Sequence, residues 1–214
     1  RHIGYSCFAR CTSLVSVTMG DSVTHIGERA FAECSSLVSI NVSESLTHIE
    51  DSAFYNCVSL PGIKMGESVT HIGNDAFAGC ASLASFIMGE AVAQIGDRAF
   101  CRCDSLASIK MGVSVRHIGN SAFAECTSLE SITIGESVTH IGDCAFEKCT
   151  SLVSVTMGES VLHIGEDAFA ECTSLASITL PESLRHLFER DLHKNSWARM
   201  INFVKQGRKR TRSQ

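Results

Sequence analysis

The chain has 214 residues, 44% hydrophobic and 19% charged, with a formal net charge of −5 and two prolines. That balance belongs to a globular chain able to bury a core, and it excludes a collagen-like or polyproline-rich protein. No apolar run approaches the roughly 20 residues of a membrane-spanning helix, and eleven cysteines are too sparse for a small disulfide scaffold.

The opening RHIGYSCFAR carries neither an initiator methionine nor a basic-then-apolar leader, and Arg1-His2-Ile3-Gly4 aligns with Thr24-His25-Ile26-Gly27. The expectation is a fragment of a longer array, entered inside a unit, with any signal peptide absent or upstream. Phenylalanine recurs every 23 residues from Phe8 to Phe169, cysteine from Cys11 to Cys172 and leucine from Leu14 to Leu175, without insertion or deletion. An unbroken period predicts a solenoid of about eight stacked units, each burying its apolar side against its neighbours.

In chain order within one unit, Leu14, Val17 and Met19 are the inward positions of a short strand, and Val15, Ser16 and Thr18 face outward. Gly20, Asp21 and Ser22 turn the chain, and Val23 and Ile26 return to the core on either side of Thr24 and His25. From Glu28 the spacing predicts a short helix with Ala30, Phe31 and Cys34 on its buried face. The column of Glu28, Asp51, Asn74, Asp97, Asn120, Asp143 and Glu166 reads as caps or dipole partners of those helices.

The pattern holds through residues 1–188, where Phe188 replaces the column glycine. Residues 189–206 carry Leu192, Trp197, Met200, Ile201 and Val204 at a spacing that predicts an amphipathic helix capping the C-terminal end. Residues 207–214, GRKRTRSQ, read as a disordered basic tail. Residues 1–188 hold 10 Lys+Arg against 21 Asp+Glu, and residues 189–214 hold 8 against 2. The tail therefore reads as a solvated terminus attracted to an acidic body; nuclear import, or contact with anionic lipid or nucleic acid, are the other uses of such a stretch.

Stacking turns each repeated column into a ladder with rungs about 5 Å apart. The histidine ladder runs His2, His25, His48, His71, His117, His140, His163 and His186, broken by Gln94. Neighbouring imidazoles can share a transition metal, but a metal needs a defined ligand set, so the row reads as stacked neutral side chains and no metal is expected. The ladder cysteines read as buried thiols beside phenylalanine, not as disulfides, while Cys7, Cys101 and Cys144 lie in other columns. The acidic column of Asp21, Glu44, Glu67, Glu90, Glu136, Glu159 and Glu182 reads as a solvated row of turns, with calcium as the alternative. Asn41-Val42-Ser43 is a glycosylation sequon whose asparagine falls on a strand. No catalytic motif is present, and every Ser-His pair repeats in step with the array, whereas a catalytic triad needs one unique constellation.

The unit SVTHIGxxAFxxCxSLxSIxM resembles the 23-residue leucine-rich repeat of the BspA-like or treponemal class, over residues 1 to about 187. The resemblance implies an α/β leucine-rich-repeat solenoid, with parallel strands on one face and short turns or helices on the other. It also implies a surface-exposed adhesion or protein-binding role, and none of its columns is catalytic. This chain has Gly20, Gly66, Gly89, Gly112, Gly135 and Gly158 where that class usually has proline, and His25 where it commonly has a small polar residue.

These readings converge on a monomeric, cofactor-free binding module that meets a protein or glycoprotein surface along its strand face, with no nucleic-acid partner expected. Its candidate contact residues are Lys64, Ile87 and Lys110, successive rungs of an outer row otherwise hydroxylated or amidic, in a region where Pro61, Gly62, Phe86, Ala91, Gln94 and Val113 also break the pattern. Drift between duplicated units gives the same substitutions. The alternatives are a structural spacer or stalk and an enzyme with its catalytic domain upstream. The resemblance points to the cell surface, the unpaired cysteines to a reducing compartment, and the compartment stays open.

Overall fold

Two residues per turn, a histidine or glutamine followed by isoleucine, are enough to build a sheet here because the partner always lies 23 residues on. The strands β1 (His2–Ile3), β3 (His25–Ile26), β5 (His48–Ile49), β7 (His71–Ile72), β9 (Gln94–Ile95), β11 (His117–Ile118), β13 (His140–Ile141) and β15 (His163–Ile164) form one eight-stranded parallel sheet in that order. The structure, a computed structural model, describes residues 1–184 and 201–203. Register is uniform: His2 pairs with His25 and Ile3 with Ile26, and the same step repeats down the sheet. Each isoleucine points inward and each histidine outward, as the pleat requires.

The other strands are β2 (Ser16–Thr18), β4 (Ser39–Asn41), β6 (Gly62–Lys64), β8 (Ser85–Ile87), β10 (Ser108–Lys110), β12 (Ser131–Ile134), β14 (Ser154–Met157), β16 (Ser177–Leu180) and β17 (Ile201–Phe203). They make a second parallel face split into three panels, β2-β4, β6-β8-β10 and β12-β14-β16-β17. Between the two faces lies one continuous core of phenylalanine, leucine, isoleucine, valine, methionine, alanine and cysteine columns. Its spine is the phenylalanine ladder, with rings stacked 5.2–5.4 Å apart from Phe8 to Phe169.

The third side is not helical. Ala30, Phe31 and Cys34 are fully buried as expected, yet among the described residues there is no α-helix, only a 3-10 turn at Glu182–Leu184. Two residues per unit, such as Arg29 and Glu33, adopt φ of 55° and 60°, a left-handed conformation that ends any α-helix. The amides alternate in direction. Those of Ala30, Ala32 and Cys34 close tight turns onto Gly27, Arg29 and Phe31, while those of Arg29, Phe31 and Glu33 reach the carbonyls of Asp51, Ala53 and Tyr55 in the next unit. In a helix every amide past the first turn bonds back within the segment; here alternate amides hold adjacent units together. The expected α/β architecture is therefore corrected to a parallel β-solenoid of about eight turns.

The Glu28 column does not cap helices. Its Asp and Asn side chains accept the backbone amide of the equivalent residue one turn later: Asn74 donates to Asp51 at 2.6 Å, Asp97 to Asn74 at 2.8 Å, Asn120 to Asp97 at 2.7 Å and Asp143 to Asn120 at 2.9 Å.

The expected capping helix over 189–206 is also corrected. Ile201–Phe203 is a strand paired in parallel with β16, Ile178 with Ile201 and Leu180 with Phe203. The step is again 23 residues, so the open edge of β16 continues its ladder where the Ala-Phe signature has vanished. The rest of 189–206 and the tail at 207–214 lie outside the described residues.

Candidate functional site

The strand face is built from residues alternating in and out. On the middle panel Ile63 and Phe86 point into the core, and Phe86 packs edge-on against Phe77 and Phe100 at 5.2 and 4.7 Å. Phe86, one of the positions where the repeat is broken, is thus a core side chain that holds β8 down. The neighbouring outward positions are the three candidates. Lys64 pairs in register with Ile87, and Ile87 with Lys110. All three are exposed, Ile87 by 60%.

Pro61 explains one edge of this panel. In an ordinary unit the amide of Val38 donates to the carbonyl of Val15 at 2.9 Å; Pro61, the equivalent of Val38, has no amide hydrogen, and the sheet breaks between β4 and β6. At the other edge β10 and β12 are unpaired, and a cavity of about 340 Å³ lies between them, lined by Ser108, Lys110, Ser131 and Thr133 above Ile109 and Met111. The ammonium of Lys110 leans toward Glu90 at 3.7 Å, while Lys64 has no ion pair among the described residues. Glu90 also accepts the amide of Val113 at 2.9 Å, so its carboxylate is held on the panel's border.

The remaining irregular positions scatter. Gln94 sits on the histidine sheet, and Val113 is exposed in the turn after β10. The structure therefore gathers Lys64, Ile87 and Lys110, with Pro61 and Gly62 beside them and Phe86 beneath, and places Gln94 on the histidine sheet.

The histidine ladder is a stack of rings with centroids 4.3–6.0 Å apart. Nδ1 of His25, His48 and His140 faces the hydroxyl of the preceding threonine at 2.8–2.9 Å. Burial, then the neighbouring imidazoles of His48 and His2, push the His25 imidazole below its ordinary value. Among the described residues no three His, Cys, Asp or Glu side chains are grouped to hold a metal ion.

The acidic turn column has a structural use: Glu67 accepts the amide of Glu90 at 3.1 Å, and Glu136 that of Glu159 at 3.0 Å. At the sequon Asn41 is exposed, but the Ser43 hydroxyl is buried, donating to the carbonyl of Asp21 at 2.8 Å and accepting the amide of Ser45 at 3.1 Å.

Comparison with known proteins agrees with this geometry. No helix among the described residues is long and apolar enough to cross a membrane. No curated protein sequence matches the chain. A leucine rich repeat protein of T. pallidum is 28% identical with a TM-score of 0.60, covering 92% of this chain and 78% of that one. The pneumococcal vaccine antigen PcpA shares the fold at 15% identity and a TM-score of 0.58, covering 90% and 68%. A leucine-rich repeat protein of Eubacterium ventriosum shares it at 22% identity and a TM-score of 0.69, covering 75% of this chain and 43% of its own length. Residues 1–128 and 93–207 match the BspA type leucine rich repeat region, in 6 copies. The chain, matched over nearly all its length, belongs to the BspA type leucine rich repeat family.

Proposed function

We propose that the chain is a non-catalytic binding module of the surface or adhesion type, which takes a protein or glycoprotein partner on its strand face at Lys64, Ile87 and Lys110. The observation that carries this reading is the register of the middle panel: an exposed isoleucine flanked on both sides by lysines. The two ammonium-bearing rungs lie about 10 Å apart, on a body otherwise rich in carboxylates. Burying the isoleucine contributes about 1.5–3 kcal/mol, and the lysines favour an acidic rim on the partner. The face is shallow and hydroxylated, which suits a broad partner better than a deep-seated small molecule. A spacer would keep the same core ladders without needing an exposed isoleucine here.

Surface plasmon resonance of the immobilised chain against individual matrix and serum glycoproteins, at physiological salt, tests the proposal. Binding that Lys64→Glu with Lys110→Glu weakens at least about tenfold, a loss of about 1.4 kcal/mol, supports it. Unchanged binding by the double variant places the contact elsewhere. No binding to any of them favours the spacer.

A further inference from the structure

On the third side of the solenoid, the turn face also departs from its own pattern. There the outermost column runs Arg10, Glu33, Asn56, Gly79, Arg102, Glu125, Lys148 and Glu171. Charged members bridge from turn to turn, Arg10 to Glu33 at 3.2 Å, Arg102 to Glu125 at 3.1 Å and Lys148 to Glu171 at 3.8 Å. At Gly79 the row of bridges is interrupted. Gly79 has φ of 74°, and a Cβ there would collide with the amide oxygen of Asn56. One column over, where Ala9, Ala32, Ala78, Ala124 and Ala170 repeat, Tyr55, Cys101 and Glu147 intrude.

These departures coincide in space. They enclose a notch of about 370 Å³ walled by Tyr55, Asn56, Arg98, Arg102, Glu125 and Glu147, with Gly79 in its lining. That volume falls in the range of roughly 300–1,000 Å³ usual for small-molecule sites. From Tyr55 to Glu147 is four rungs, about 19 Å along the solenoid axis, so the notch is elongated.

Its charges are already neutralised. Arg98 meets Asp75 through Nε at 3.1 Å, and Arg102 meets Glu125 through Nε at 3.1 Å. The terminal amino groups of both guanidinium forks have no hydrogen-bond partner among the described residues. An anion would meet the carboxylates of Glu125 and Glu147, and that of Asp75 beside Arg98; a cation would meet two arginines. What remains is a set of fixed donors and acceptors, Arg Nη groups, the Asn56 amide and the second oxygen of the Glu147 carboxylate, whose Oε1 is paired with the Lys148 ammonium at 3.0 Å, beside one phenol ring. Planar polar groups of this kind pair with adjacent hydroxyls, and an aromatic ring presents an apolar surface with a polar edge.

We propose that this notch is a binding site for an uncharged saccharide chain, with Tyr55 as the platform for a sugar ring and Arg98, Arg102 and Glu147 as the hydroxyl-binding groups. The site is independent of the strand-face contact and lies on different columns.

The test uses the whole chain and four uncharged probes, maltotetraose, cellotetraose, chitotetraose and mannotetraose, with sialyllactose as the anionic arm, each titrated separately by calorimetry and followed by saturation-transfer NMR. The expected result is millimolar or tighter binding of at least one uncharged probe, weakened at least about tenfold in Arg102→Gln and in Tyr55→Ala, and unchanged in Lys64→Glu with Lys110→Glu. Arg102 is exposed, so its variant should melt as the parent does and keeps the comparison valid if Tyr55→Ala proves unstable. No binding by any uncharged probe, binding of sialyllactose alone, or equal binding by Arg102→Gln would overturn the proposal.

Discussion

The thiol of Cys103 donates a hydrogen bond to the carbonyl oxygen of Phe77, 3.3 Å away and 26 residues earlier. The same bond joins Cys57 to Phe31 at 3.1 Å, Cys126 to Phe100 at 3.1 Å and Cys149 to Phe123 at 3.1 Å. Each of these phenylalanine carbonyls already accepts the amide of the cysteine in its own turn. Its second lone pair is taken by the thiol of the next turn. A small buried side chain that is also a weak donor is what this position asks for, and alanine would leave the lone pair without a partner.

That arrangement makes the buried ladder thiols of Cys57, Cys80, Cys103 and Cys126 inert, whereas Cys11, the first of the ladder, is exposed. Burial pushes the Cys57 thiol up to about 12, and raises those of Cys34, Cys80, Cys103 and Cys126 as well. The thiolate is the reactive form. Brief alkylation of the native protein followed by peptide mapping is expected to modify Cys7 and Cys11, which are exposed, and to leave Cys57, Cys80, Cys103 and Cys126 intact until denaturant is added. Early modification of Cys80 or Cys103 would show that the ladder opens.

Stability should fall on mild acidification. The folded His25 imidazole is held below its unperturbed value of 6.5 by burial and by His48 and His2, with Glu50 opposing. As pH drops toward the unfolded value, the unfolded chain takes up a proton that the folded chain resists, so the folded state loses stability until the pH is below both values. The melting temperature is expected to decline from about pH 7.5 to about pH 5.5. His25→Gln, the residue that Gln94 already places in this column, should make the decline shallower. A melting temperature that is flat or rising over this interval in the parent chain contradicts the argument.

The Asx ladder gives a separable effect. Asn120→Ala removes the acceptor for the Asp143 amide, and Asn120→Asp keeps it. The alanine variant is expected to lose about 0.5–1.5 kcal/mol in urea unfolding, with the aspartate variant closer to the parent. Equal losses in both would mean that the side chain acts through something other than this bond.

Much of the core was legible in the sequence because burial follows composition. The 23-residue period named Phe31, Cys34, Leu37 and their equivalents as buried, and from Phe31 onward they are; in the first unit, which has no preceding turn stacked on it here, Phe8 and Cys11 are exposed and Leu14 is half-buried. The same period placed Lys64, Ile87 and Lys110 on consecutive outward rungs, where the register puts them. The backbone around Phe31 was not legible. Buried positions at Ala30, Phe31 and Cys34 suit one face of a helix as well as a pair of tight turns, and a window that short has no periodicity to separate them. The strand at Ile201–Phe203 was not legible either. Its signal, the 23-residue step from Ile178 and Leu180, was hidden by apolar spacing that also fits a helix.

By itself the sequence determined the period, the residues that face the core and the register of every turn on the next, because a one-residue slip would move each apolar column to solvent. Tertiary structure decided where the backbone amides go. Those of Arg29, Phe31 and Glu33 find their acceptors in the next turn, and the amide missing at Pro61 ends a panel of the sheet. These partners are distant in the chain and exist only after stacking, so no local window contains them. The notch at Gly79 has the same origin, since its walls come from Tyr55, Arg102 and Glu147 on separate turns.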